Sequence, residues 1–266
     1  MDDTKKKIVK YLFLLLKITV SSGLIYLLFS KVGLSVILDN ISKIQPIYFV
    51  FAMMLYLLQL LISTNRWSLL IGTNLPFKKL YSLYLIGSFF GIFLPGLVGG
   101  DTVKAYYLNK ILKQGNTSDL QTPHLVTSIA SVFMDRYIGL IAMIIMVISV
   151  LPFSIGYLKD TPFLWVMPTF IVLFVLFSYF FVRFRLGERF GFVSNFYTYF
   201  TFYLAKRSVV VKTIFLSFLT QLAGIVSVYT LSLGLSINVS FLSVLIFLPI
   251  IILVSFIPIS IAGIGL

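Results

Sequence analysis

From Thr213 to Leu266, 54 consecutive residues pass without a charged side chain. No water-soluble domain can be assembled around such a stretch, because a soluble fold breaks its apolar runs at the length of a buried strand or helix. A bilayer core of about 30 Å is crossed by roughly 20 residues of helix. The run is too long for one crossing, so it reads as two, with a hairpin at Gly234 to Asn238. The rest of the chain follows the same pattern. Hydrophobic residues make up 59% of the sequence and charged residues 11%, against about 25% charged in soluble domains.

The expected fold is therefore all-α: a polytopic transmembrane helical bundle, forming a single integral membrane domain over residues 1–266. Spans are expected at about 11–30, 46–64, 125–151, 161–182, 208–234 and 240–257. The first follows Lys5, Lys6, Lys7 and Lys10, which is how a secretory signal opens. Its apolar stretch is interrupted only by Lys17 and lacks a small-x-small cleavage site, so it reads as an uncleaved span.

Leu80 to Gly100 is a different kind of segment. It has no charge, yet it carries Gly87, Gly91, Pro95, Gly96, Gly99 and Gly100. Broken backbone at membrane depth survives only when covered by protein or lining a wet cavity. Charge counting decides whether it crosses. If the segment enters and leaves on one side, 16 Lys and Arg of the loops fall inside and 3 outside; if it crosses, the split is 8 and 11. Cytoplasmic loops carry the excess of Lys and Arg, so a re-entrant or broken helix at about 80–100 is expected, with the N-terminus cytoplasmic. A similar break recurs at about 256–266, around Pro258, Gly263 and Gly265. Paired interruptions of this kind in two halves of a chain point to a transporter site built from internal repeats. Because the sequence stops inside that apolar segment, the native protein is expected to continue past Leu266.

The net charge of +13 reads as basic loops and anionic headgroup contact rather than nucleic-acid binding. Residues 102–113 and 186–206 mix aromatic and basic side chains, as interfacial anchors do. With no Cys and His124 as the only histidine, no metal site, cofactor or catalytic residue is expected.

Few charges are left to carry chemistry inside the membrane. Asp101 and Lys104, at i and i+3 after the glycine-rich turn, share a helix face; Asp101 also suits a simple helix cap. Asp135 and Arg136 lie within a span. Adjacent residues point about 100° apart on a helix, so each needs a partner elsewhere, and Asp101, Lys104 and Arg66 are the candidates. The competing reading is that Arg136 snorkels to the headgroups with Asp135 as its local counter-charge. Arg66 and Trp67 close the second span, where they read as boundary anchors, with a phosphate contact as the alternative for Arg66.

Leu94-Pro95-Gly96 with Gly99-Gly100-Asp101, then Lys104-Ala105, Asp135-Arg136 with Gly139-Leu140, and Pro258 through Gly265 occur here in order over nearly the whole chain. In these motifs the sequence resembles the lysylphosphatidylglycerol synthase transmembrane-region family, described as flippase-like integral membrane proteins. The resemblance implies a plasma-membrane, multi-pass protein that moves phospholipid between leaflets. In the best-known members the lipid is aminoacylated phosphatidylglycerol, which confers resistance to cationic peptides. Membrane phospholipids are the implied partners, with an aminoacyltransferase domain or a second copy of the chain beside them. From the Gly/Pro breaks and the scarcity of intramembrane charge, the expected headgroup contacts are Asp101, Lys104, Asp135, Arg136 and Arg66. Lys104 stands where the family usually has Arg, and Ser88, Gly91 and Ile92 stand where it commonly has Asn. Two other readings stay open: the membrane part of a phosphatidylglycerol lysyltransferase, and a structural membrane subunit.

Overall fold

The computed structural model describes residues 45–93, 99–115, 123–159, 163–184 and 191–255, together with Asp39. The expected first span at 11–30 lies outside these residues, as do Pro95, Gly96, Pro258, Gly263, Gly265 and the break at 256–266.

Among the described residues there are eight α-helices and no strand. They are α1 (Pro46–Ile71), α2 (Phe77–Phe93), α3 (Gly99–Gly115), α4 (His124–Leu158), α5 (Phe163–Arg183), α6 (Gly191–Ala205), α7 (Arg207–Gly234) and α8 (Phe241–Ser255). Four helices are long and apolar enough to cross a membrane: Pro46–Ile71, His124–Gly156, Trp165–Arg183 and Arg207–Gly234. Phe241–Leu253 is a shorter apolar helix. The outward faces of these helices are apolar; on α5, Leu173 is 61% and Phe177 68% exposed. A soluble monomer does not leave so continuous an apolar surface in water. The described helices are those of a multi-pass membrane protein.

Local chemistry sets the helix limits. Pro46 opens α1, where its missing N–H costs nothing. Gly72, at φ 69°, closes it in the left-handed conformation. The helix thus runs seven residues beyond the span expected to end at 64. It carries Arg66 and Trp67 into the protein interior, so their reading as boundary anchors is corrected. Between α7 and α8, Ser236 takes a positive φ of 56° and the Ile237 N–H donates to the Ser232 carbonyl at 2.9 Å.

Two antiparallel pairs flank α4. In the first, α1 lies along α7: Ala52 meets Ser227, Gln59 meets Gly224, Ser63 meets Thr220 and Arg66 meets Ser217. Small and hydroxylated side chains let the two backbones approach, as in membrane helix pairs generally. In the second pair, α2 runs against α3. A Cβ on Gly100 would overlap the Gly87 carbonyl oxygen and stand 2.9 Å from the Gly91 nitrogen, so only glycine fits at this crossing. Both arms have 17 residues, about 25 Å of helix, and their outer ends, Phe77 and Gly115, lie at the same end of the pair. Of the apolar residues of 102–113, expected at the membrane surface, Leu108 and Leu112 are covered instead, while Tyr106 and Tyr107 stay exposed. Leu108 and Leu112 are fully buried with Trp67, Ile71, Leu80 and Val132.

Helix α4 is the spine. Its first half packs on α1, α3, α6 and α7, and Ala130, Met134 and Ile138 are buried against Leu70, Tyr199 and Phe200. Its second half packs Met143, Ile144 and Val147 against Met167 of α5 and Ile246, Ile250 and Leu253 of α8.

Candidate functional site

The charged residues singled out in the sequence converge on one place. Arg66 reaches it from α1, Asp101 and Lys104 from the first turns of α3, and Asp135 and Arg136 from α4. The Arg66 Nε donates to Asp135 Oδ1 at 2.7 Å. Lys104 Nζ stands 3.6 Å from Asp135 Oδ2 and 3.6 Å from Asp101 Oδ1. The Arg136 Nε donates to Asp101 Oδ2 at 2.7 Å. The result is a chain of alternating sign: Arg66, Asp135, Lys104, Asp101, Arg136. As the helical geometry requires, Asp135 and Arg136 do not pair with each other but turn to different partners. The counter-charge of Arg136 is therefore Asp101 and not its neighbour Asp135.

Hydroxyl and aromatic groups complete the inner end. The Tyr84 hydroxyl donates to Asp135 Oδ2 at 3.1 Å, and the Arg66 Nη1 donates to Ser217 Oγ at 2.9 Å. Lys104 Nζ lies 4.7 Å from the centre of the Trp67 ring and 4.2 Å from that of Tyr84, within the range of cation–π attraction. The Trp67 indole N–H donates to Ser131 Oγ at 3.3 Å. Gly139 leaves room for Arg66, whose Nη1 would be 3.2 Å from any Cβ there. This packing accounts for a lysine at position 104: a compact ammonium fits between two rings and two carboxylates, where a planar guanidinium would need a wider slot.

Burial grades along the chain. The Asp135 side chain is 1% exposed, Asp101 12% and Arg136 51%. Asp135 sits eleven residues in from His124, about 16 Å along the helix. Buried ionic groups are tolerated only when paired, and Arg66, Asp135, Lys104 and Asp101 each have an oppositely charged neighbour within 3.6 Å. Arg136 differs in its exposure: beyond its bond to Asp101, its terminal nitrogens donate no hydrogen bond to another described residue and half of its side chain is open. It is also where two apolar grooves meet. One, of about 600 Å³, lies between α3 and α4 and includes Asp101, Ile129 and Val132; the other, of about 490 Å³, lies among α4, α5 and α6 and includes Leu140, Phe174 and Phe181.

Tyr84, Trp67 and Ser217 are site residues that the sequence reading missed. Tyr84 stands in a charge-free run and Trp67 looked like an anchor. Ser217 had one available signal, the stripe of Thr213, Ser217, Thr220 and Gly224 at helical spacing in the charge-free stretch, which marks a closely packed face.

A helical bundle with apolar outer faces and a paired charge network at its centre defines a class, the polytopic membrane proteins with a polar interior site. Within that class the chain belongs to the lysylphosphatidylglycerol synthase transmembrane-region family, whose model, "Lysylphosphatidylglycerol synthase TM region", matches residues 14–266. It is also similar to a UPF0104 membrane protein of Methanocaldococcus jannaschii, 32% identical over 111 residues. That match covers 40% of this chain and 32% of the relative, so the chain aligns with about a third of that protein. No solved structure matches.

Proposed function

We propose that the chain is a lipid-handling module that binds a phospholipid headgroup at Arg136 and passes the lipid between leaflets. The observation that carries this reading is the gradation of the charge chain. Four of its members are paired and enclosed, while the fifth, paired only to Asp101 among the described residues, presents half-exposed guanidinium nitrogens between two apolar grooves. Arginine's fork matches phosphate oxygens, and apolar grooves suit acyl chains. Membership of a family named for lysylphosphatidylglycerol supports an anionic or aminoacylated phosphatidylglycerol as the cargo. The bias of basic residues supports a cytoplasmic N-terminus, and membership of the family supports a plasma-membrane location. Membrane phospholipids are the proposed partners, with an aminoacyltransferase domain or a second copy of the chain alongside.

The test is lipid movement in vesicles that contain the purified full chain and phosphatidylglycerol labelled on its acyl tail. Accessibility of the label to a membrane-impermeant quencher is followed over time. The wild-type chain should redistribute the lipid. Arg136→Ala and Asp101→Ala should slow it about ten-fold or more, the scale of one lost charge-assisted hydrogen bond, while inserting equally well. Redistribution unchanged in both variants would remove Arg136 from the function. No redistribution by the wild-type chain would favour a structural subunit.

A further inference from the structure

We infer that Arg136 holds the phosphate of a two-chain glycerophospholipid astride α4, with one acyl chain in each of the grooves that meet there. This rests on the lipid-handling reading and adds how the lipid is held. Phe133 and Arg136, one turn apart on α4, are the wall that the two grooves share. The α3–α4 groove is lined by Ala105, Tyr106, Leu125, Ile129 and Val132. The second is lined by Tyr137, Leu140, Phe174, Phe177, Phe181 and Phe196. Each falls within the size range of small-ligand sites. The exposed surface of both grooves is mainly apolar, with Asp101, Thr102 and Asn109 in the first and Ser178 in the second among the polar members besides Arg136, and such a lining suits hydrocarbon better than a sugar, nucleotide or peptide backbone.

Charge complementarity fixes the third point of attachment. Three cations, Arg66, Lys104 and Arg136, face two carboxylates, Asp101 and Asp135, so among the described residues one positive charge is uncompensated. It emerges at the half-exposed member, between the grooves. A phosphodiester carries one negative charge, and two chains diverge from the glycerol beside it. Ser178 adds a smaller match: its hydroxyl is buried in the second groove without a partner among the described residues, and can donate to an ester carbonyl. A lipid that fills both grooves gains from tethering, since its second chain binds at the high local concentration set by the first. A one-chain lysolipid forgoes that gain.

The experiment uses the full chain in vesicles of phosphatidylcholine containing phosphatidylglycerol with a photoreactive diazirine on the sn-1 or on the sn-2 chain. Crosslinked peptides are then mapped. The two probes together should label both grooves, on α3 and α4 for one chain and on α5 and α6 for the other. Arg136→Gln should cut labelling in both grooves about ten-fold, leaving the lipid-facing residues Val172 and Leu173 labelled as before. Ile129→Trp, which blocks only the first groove, should suppress labelling there and spare the second. Lysophosphatidylglycerol should compete about ten-fold less well than the two-chain lipid, or worse. Groove labelling that survives Arg136→Gln would mean that bulk lipid fills both grooves and would overturn the inference, as would equal competition by the lysolipid. If Arg136→Gln abolishes lipid movement but both probes map to one groove, the two-groove placement falls and the transport reading stands. If both grooves label as expected and no lipid moves, the placement stands and the transport reading falls.

Discussion

The two halves of α4 share one helix but pack in different ways. Before Gly139 the helix buries Thr127, Ser128, Ser131 and Asp135; Thr127 and Ser128 bond back to the carbonyls of Pro123 and His124, while neighbouring helices answer Ser131 with Trp67 and Asp135 with Arg66 and Tyr84. After Gly139 it buries Met143, Ile144, Met146 and Val147, and its neighbours answer with volume alone. Within a membrane, apolar surface gains little by leaving lipid for protein, so the second half holds by close packing. The first half holds by charge pairs whose loss leaves ions stranded in a medium of low dielectric. Apolar packing tolerates exchange of similar shapes, whereas a charge network fixes partner, register and direction.

The largest effect should come from Asp135→Ala, which strands Arg66 and much of Lys104. A loss of about 3–5 kcal/mol is expected, read as denaturant resistance of the purified chain in detergent micelles. The double variant Arg66→Met with Asp135→Leu sharpens the contrast. Removing the pair together should restore more than half of that loss, since well-packed apolar replacements of buried ion pairs are often neutral, while lipid movement stays abolished. Were the double variant to move lipid normally, the inner network would be structural only.

Gly100→Ala should come next. Its new methyl collides with the backbone of α2 near Gly87 and Gly91, and relief requires the α2–α3 pair to part, at a cost of about 2–3 kcal/mol. Ser217→Ala, which leaves Arg66 Nη1 without its hydroxyl partner, should cost about 1 kcal/mol by the same measure. Smallest is Ile144→Val in the apolar half, at about 0.5–1 kcal/mol, with lipid movement unchanged. If Ile144→Val proved as damaging as Asp135→Ala, the two halves would not differ in kind.

Much of the site was legible in the amino-acid sequence, for a physical reason. Charges inside apolar runs are costly, so the few present had to find one another, and Asp101, Lys104 and Arg66 were the candidates within reach of Asp135 and Arg136. Which pairs with which was not legible, because it depends on how α1 and α3 are rotated against α4. Trp67 shows the same limit from the other side. Hydropathy registers that Asn65, Arg66 and Trp67 interrupt an apolar run, but not that the helix continues to Ile71 and turns those residues inward. Tyr84 left no signal, since a tyrosine in an apolar run reads as one more hydrophobic residue until a carboxylate is found beside it. The helices themselves were the easier part, because length and apolar continuity determine them locally. The amphipathic stretch 102–113 deceived because a half-apolar helix looks alike whether it lies on lipid or on another helix.

The unequal count of three cations and two carboxylates has an electrical consequence. The five described groups of the hub sum to one positive charge, and a membrane potential acts on such a charge with about 2.3 kcal/mol per 100 mV for each full crossing of the field. A monoanionic headgroup seated on Arg136 cancels that charge. Under the proposed lipid handling, voltage would then do no work on a loaded hub that moves as one body, and would act on the unloaded one.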